Sequence, residues 1–190
     1  MRIFGLAFNY SGYSHTPIVF LKGEPTIGGE PIYLPLAAPS PMFSSVQPYL
    51  HTWPEPELGF RMGKDGILGF VLANDITCQI GKEDCHLTMS KARDSFCPMV
   101  DIQGNFSPKD VILQAFINDA MVVEGSTYFR LLHEKEAISF VEKSIKLHPG
   151  DVVLTGSPLH RKAPIEPGDI VRVEAWHKGK LLAKLENPAV

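Results

Sequence analysis

The runs Pro54-Glu55-Pro56-Glu57-Leu58-Gly59-Phe60-Arg61-Met62 and Ile67-Leu68-Gly69-Phe70-Val71-Leu72-Ala73-Asn74-Asp75 decide how this chain folds. In the first, Glu55, Glu57, Gly59 and Arg61 alternate with Pro56, Leu58, Phe60 and Met62. A period of two is the strand period, so both glutamates point to one side. Two carboxylates facing one way near a core are costly unless a cation or a basic group offsets them. Asp75 ends an otherwise apolar run and raises the same question. If Lys64-Asp65-Gly66 is a three-residue hairpin loop with Gly66 left-handed, residue 63 pairs with 67, and that register sets Glu55 opposite Asp75. A two-residue loop would break it. Three carboxylates then converge on one patch that needs no thiol or imidazole, and an all-oxygen site selects Mg²⁺, Mn²⁺ or Ca²⁺. The other reading leaves Glu55 and Glu57 on a solvated outward face with Asp75 capping a turn. Spacing alone leaves both open.

Outward from this hairpin, sixteen Gly and sixteen Pro fall between short apolar runs, the pattern of many short strands joined by tight turns. The expected class is α+β, mainly β, with strands over 2–8, 18–22, 57–62, 67–74, 111–117, 120–123, 151–154, 170–177 and 181–185. Asn118-Asp119 and Lys178-Gly179-Lys180 mark further turns. One helix is expected over 133–146, where Ala137, Ile138, Val141 and Ile145 recur at helical spacing and Pro149-Gly150 ends the pattern. The Pro- and Ser-rich stretch between Gly28 and Pro54 reads as an ordered loop over the core.

With 190 residues, 44% of them hydrophobic, the chain suits one domain, 1–190, with a single core. Eighteen basic and 21 acidic side chains leave a net charge of −3 with no basic run, so a nucleic-acid partner is not expected. The apolar start gives way to Asn9-Tyr10 after a few residues, too soon for a signal peptide or a membrane span. Three cysteines without paired spacing, Cys78, Cys85 and Cys97, argue against a disulfide framework and suit a reducing cytoplasm. A zinc site from Cys78, Cys85 and His86 is the weaker reading beside buried thiols.

The glutamate pair followed by a Gly-containing strand ending in Asn74-Asp75 resembles the fumarylacetoacetate hydrolase family. The resemblance continues in order through Asn9-Tyr10, Phe20-Leu21-Lys22, Ser90-Lys91, Phe96-Cys97-Pro98, Asn118, Leu147-His148-Pro149-Gly150-Asp151, Thr155-Gly156-Ser157-Pro158 and Pro167-Gly168-Asp169. It implies a β-rich roll of mixed sheets with one main helix, usually dimeric, as a short form of one catalytic domain that lacks the usual N-terminal domain. It further implies Mg²⁺ or a similar ion held by Glu55, Glu57 and Asp75, with Lys91 and Thr155 touching the substrate and Lys22 a second candidate for the same pocket. The expected chemistry is carbon–carbon bond hydrolysis of a small 1,3-dicarbonyl or 2-oxo acid. Isomerisation, including tautomerisation, or decarboxylation on the same site is the alternative.

Departures from the family pattern fall where acid–base chemistry belongs. In active members Asn-Tyr is followed by a His and, three residues later, a Glu that activate water or move a proton. Those places hold Tyr13 and Thr16, so the dyad is missing and its lid is truncated, with His15 close enough to be a displaced substitute. An Arg expected shortly after Asn-Asp corresponds to Gln79, and a Gln after the Asn118 turn corresponds to Val123. A reading from a different class follows: a metal-binding protein that kept the fold and lost acid–base catalysis. His15, His51 or Glu24 within reach of a metal-bound water would favour the enzyme.

Overall fold

The alternating runs fold into three sheets, seen in a computed structural model that describes residues 1–12, 15–35, 51–79, 87–158 and 163–190. The largest sheet holds β1 (Ile3–Ala7), β2 (Ile18–Leu21), β4 (Pro56–Met62), β5 (Ile67–Asn74), β7 (Met99–Ile102) and β10 (Val152–Leu154), in the order β2-β1-β10-β4-β5-β7. It is mixed because β1 and β10 run parallel while the other pairs run antiparallel. A second sheet holds β8 (Ile112–Ile117), β9 (Ala120–Ser126), β11 (Ile170–His177) and β12 (Lys180–Pro188), in the order β12-β11-β8-β9. Its hairpins turn at Asn118-Asp119 and Lys178-Gly179, where positive φ at each residue gives the tight two-residue loops that the turn residues predict. The smallest sheet pairs β3 (Thr52–Trp53) with β6 (Thr77–Cys78).

Leu58 and Leu72 of the large sheet pack against Leu113, Ala115, Val173 and Ala175 of the second, so alternate residues of both build the core between them. Phe60 and Met62, on the same face further along β4, meet Ala137 and Val141 of the main helix, α2 (Glu134–Glu142). On the opposite face of the large sheet Val71 and Ala73 of β5, Leu154 of β10 and Met99 of β7 cluster with Cys97. Gly59 lets its partners on the two neighbouring strands, Leu154 of β10 and Val71 of β5, close over it. A Cβ there would lie 2.7 Å from Leu154 Cδ2 and 2.9 Å from Val71 Cγ2.

Several sequence expectations need correction. The main helix ends at Glu142 rather than 146, its last turn tightening where the Ser144 amide donates to the Val141 carbonyl three residues back. A second helix exists, α1 (Leu87–Lys91), five residues long. Strands β3, β6 and β7 lie outside the expected set, and β3 falls within the stretch that reads as loop, of which 36–50 falls outside the described residues. Cys78 and Cys97 are buried free thiols, while Cys85 and His86 also lie outside the described residues. Among the described residues no helix is long and apolar enough to cross a membrane.

Candidate functional site

Antiparallel pairing of β4 with β5 builds the site. Pro56 pairs with Asn74 and Glu57 with Ala73, and the Asp75 amide donates to the Glu55 carbonyl at 2.8 Å. Glu55 therefore stands opposite Asp75, as the sequence register requires. The route to that register differs from the expected one. At the turn Met62, not Gly63, pairs with Ile67, Gly63 N–H donates to Gly66 O, and a bulge beyond Arg61 absorbs the extra residue.

Carboxylate oxygens of Glu55, Glu57 and Asp75 come within 4.8 Å of one another, and all three residues are buried. The solvated alternative is thereby excluded. Two ammonium groups answer the three acids. Lys91, the last residue of α1, lies 2.7 Å from Glu55 Oε2 and 2.5 Å from Asp75 Oδ2. Lys22, just beyond β2, lies 2.6 Å from Asp75 Oδ1 and donates to the Ile76 carbonyl. Burial pushes the Asp75 carboxyl up, but the charges of Lys22 and Lys91 more than reverse this and hold it below its ordinary value. Burial lowers the Lys91 ammonium, and the charges of Asp75, Glu55 and Glu57 outweigh it and raise the group. Glu57 is the acid left short of positive charge: burial and then the charge of Asp75 hold its carboxyl well above the usual carboxylate range.

That imbalance tests whether the residues suit a cation. Three hard oxygens in mutual reach, one of them on an acid whose carboxyl is raised by burial and by the charge of Asp75, fit a divalent ion of the Mg²⁺, Mn²⁺ or Ca²⁺ kind. The oxygens bound to Lys91 keep lone pairs, so an ion and the ammonium can share them.

The acids open into a cavity of about 80 Å³, room for one small ligand, walled by Phe8, Phe20 and Trp53 and floored by Glu55, Glu57, Asp75 and Lys91. Lys22 and Thr155 are not among its lining residues. Lys22 stands behind Asp75, and the Thr155 hydroxyl donates to the Leu58 carbonyl at 2.6 Å. His15 is exposed, its ring 5.0 Å from that of Phe8 at the cavity rim. Tyr13 lies outside the described residues, and Thr16, Glu24 and His51 are exposed.

Three supporting groups escaped the sequence reading. Trp53 Nε1 donates to Glu55 Oε1 at 2.8 Å, Asn74 Oδ1 accepts from the Glu55 amide at 3.0 Å, and the Gly156 amide donates to Glu57 Oε2 at 2.8 Å. The tryptophan two residues from Glu55 and the asparagine beside Asp75 were the available signals. Nothing in the sequence marks the Gly156 amide.

A sequence model of the fumarylacetoacetate (FAA) hydrolase C-terminal family matches residues 57–188. Protein Rv2993c of Mycobacterium tuberculosis is 30% identical over 182 residues, covering 92% of this chain and 66% of that protein. The mitochondrial oxaloacetate tautomerase fahd2 of Xenopus laevis is 28% identical over 160 residues, covering 72% of this chain and 49% of that one. The chain thus spans about half to two thirds of the length of these relatives. Among solved structures, a 5-carboxymethyl-2-hydroxymuconate delta-isomerase from Mycobacterium smegmatis superposes with a TM-score of 0.80 at 25% identity, covering 100% of this chain and 78% of that one.

Proposed function

The chain belongs to the fumarylacetoacetate hydrolase family, and from that premise we propose that residues 1–190 form one catalytic domain, a divalent-metal-dependent enzyme acting on a small 1,3-dicarbonyl or 2-oxo acid. The observation that carries this reading is the buried triad of Glu55, Glu57 and Asp75 at the floor of a cavity that also presents the Lys91 ammonium. Mg²⁺ is the first candidate, and Mn²⁺ or Ca²⁺ suits the same oxygens. Glu55, Glu57 and Asp75 would hold the ion, which would supply Lewis acidity toward the substrate's oxygens.

The protein's own groups do the rest. Lys91, buried and charged, faces the substrate carboxylate or an oxygen that gains negative charge as the enolate develops. Phe8, Phe20 and Trp53 exclude bulk water, which strengthens that interaction. Carbon–carbon hydrolysis is the reaction proposed. Hydroxide joins the acyl carbon, the bond to the neighbouring carbon breaks, and the electron pair left there is protonated. His15, at the rim against Phe8, is the proposed proton carrier in place of the family dyad. Lys22 and Thr155 assist from behind, through Asp75 and through the Leu58 carbonyl. Tautomerisation is a second reading, favoured by relatives named oxaloacetate tautomerase and delta-isomerase; it needs only proton transfer at carbon and oxygen.

Titration calorimetry of chelator-stripped protein with Mg²⁺ and Mn²⁺ tests the site. The wild type takes up one ion and Glu57→Ala takes up none, with the melting temperature of the wild type alone rising on ion addition. An acylpyruvate is then followed for cleavage and oxaloacetate for enol–keto conversion. Cleavage supports hydrolysis and enol–keto conversion alone supports the tautomerase. Ion binding with neither turnover favours the metal-binding protein that lost its dyad, and no ion binding overturns the reading.

A further inference from the structure

We propose that Asn9 is a positioning residue that holds Glu57 in the cation site, acting through the single peptide plane between Thr155 and Gly156. The inference rests on the cation reading above but concerns a different residue and a different mechanism. Glu57 Oε2 accepts from the Gly156 amide, at 2.8 Å. The carbonyl of that same peptide unit, Thr155 O, accepts from Asn9 Nδ2 at 3.0 Å. In a trans peptide the carbonyl and the N–H point in opposite directions, so whatever fixes one aims the other. Asn9 fixes the carbonyl, and the N–H therefore points at Glu57.

Asn9 is suited to this because its own amide cannot turn round. It is fully buried, its Oδ1 accepts from the Leu132 N–H at 2.8 Å, and its Nδ2 donates to the Leu132 carbonyl at 3.1 Å as well as to Thr155 O. Reversing the amide would set its NH₂ against an N–H and its oxygen against two carbonyls. The peptide it holds is one that needs holding. Gly156 sits at φ +89°, and glycine tolerates either orientation of the preceding peptide. No other residue could take its place without moving the wall, because a Cβ would lie 2.8 Å from Leu6 O and 3.4 Å from Asn9 Cβ.

The chain also accepts local strain to deliver Asn9. Phe8, a bulky residue that rarely adopts the left-handed region, has φ +61° at the end of β1. That turn leaves Phe8 on the cavity wall and Asn9 buried against the Thr155–Gly156 peptide. A brace between β1 and the 127–132 segment alone would require only the two Leu132 bonds. The third bond, to Thr155 O, is the one that reaches the site.

The test measures Mn²⁺ affinity by calorimetry on chelator-stripped protein, together with hydrogen exchange at the Gly156 amide. Asn9→Ala and Asn9→Ser are compared with Val141→Ala, which loosens the packing of α2 without touching this peptide. The expected result is a 10- to 100-fold weaker Kd in both Asn9 variants, the range usual for groups that orient a metal ligand. Their Gly156 amides should exchange faster than in wild type, while Val141→Ala keeps wild-type affinity and exchange despite its lower melting temperature. Wild-type affinity in both folded Asn9 variants overturns the proposal and leaves the cation reading intact. Failure of the wild type to bind Mn²⁺ overturns that reading and this proposal together. Should Asn9→Ala not fold, Asn9→Ser and the wild-type exchange data carry the test, since a Gly156 amide that is unprotected in the metal-free wild type also overturns it.

Discussion

Asp75 divides its two oxygens between two ammonium groups, Lys22 on Oδ1 and Lys91 on Oδ2, and its side chain is wholly buried. Lys91 lines the cavity, whereas Lys22 stands behind Asp75 with its side chain wholly buried and ion-paired to it. Removing one partner of a buried pair commonly costs about 3–5 kcal/mol, and here Lys91 remains as partial compensation. Lys22→Met should therefore destabilise the metal-free protein by about 2–3 kcal/mol in urea unfolding, while an unchanged midpoint would mean that Lys91 balances Asp75 alone. Acids in apolar runs are conspicuous in a sequence, so Glu55, Glu57 and Asp75 were legible as a group. The groups that orient them were not. Asn9 and Gly156 act through a hydrogen bond between segments distant in sequence and through a backbone amide, and neither leaves a compositional trace.

At the scale of elements, the β4–β5 hairpin shows how a correct register can follow from an incorrect turn. The acidic end is fixed by which residues face the core, and a bulge near the tip restores the pairing that the turn itself would have shifted by one. Long alternating runs such as those of β8 and β11 were legible because each face repeats its chemistry several times. Strands β3 and β6 have two residues each and α1 has five, too few for any period to be visible. Gly59, in the middle of β4, is where Leu154 of β10 and Val71 of β5 fold their side chains across the strand. Gly59→Ala should cost about 1–3 kcal/mol through overpacking against Leu154 and Val71. Gly69→Ala, in β5 with open space around its Cβ, is the matched control and should stay within about 0.5 kcal/mol in the same thermal unfolding experiment.

For the molecule as a whole, the first strand joins the large sheet by finding the tenth, and β1 and β10 are held by a parallel pairing that no local turn enforces. Asp151 secures that junction at its entrance. Its Oδ1 accepts from the Arg2 amide at 3.0 Å, its Oδ2 accepts from the His148 amide at 2.9 Å, and the Arg2 guanidinium lies 2.5 Å away. Burial would raise this carboxyl, but the Arg2 side chain, the two backbone amides and the Arg2 charge together draw it down to about 2. An acid whose pKa is lower in the folded than in the unfolded state contributes stability above its unfolded value, near 4, and loses it as the pH falls toward the folded value. The window lies between about pH 4 and pH 2. Because Arg2 is nearly half exposed and screened by solvent, the contribution at neutral pH is about 1 kcal/mol rather than the full shift. Asp151→Asn should therefore be less stable than the wild type by about that amount at pH 7, with the gap narrowing through the window and closing near pH 2. Urea unfolding of both proteins across this range measures the gap directly. Taking the difference cancels the titration of Glu57 and Asp75, which both proteins share, so a gap independent of pH would show that Asp151 joins the strands by packing and neutral hydrogen bonds rather than by its charge.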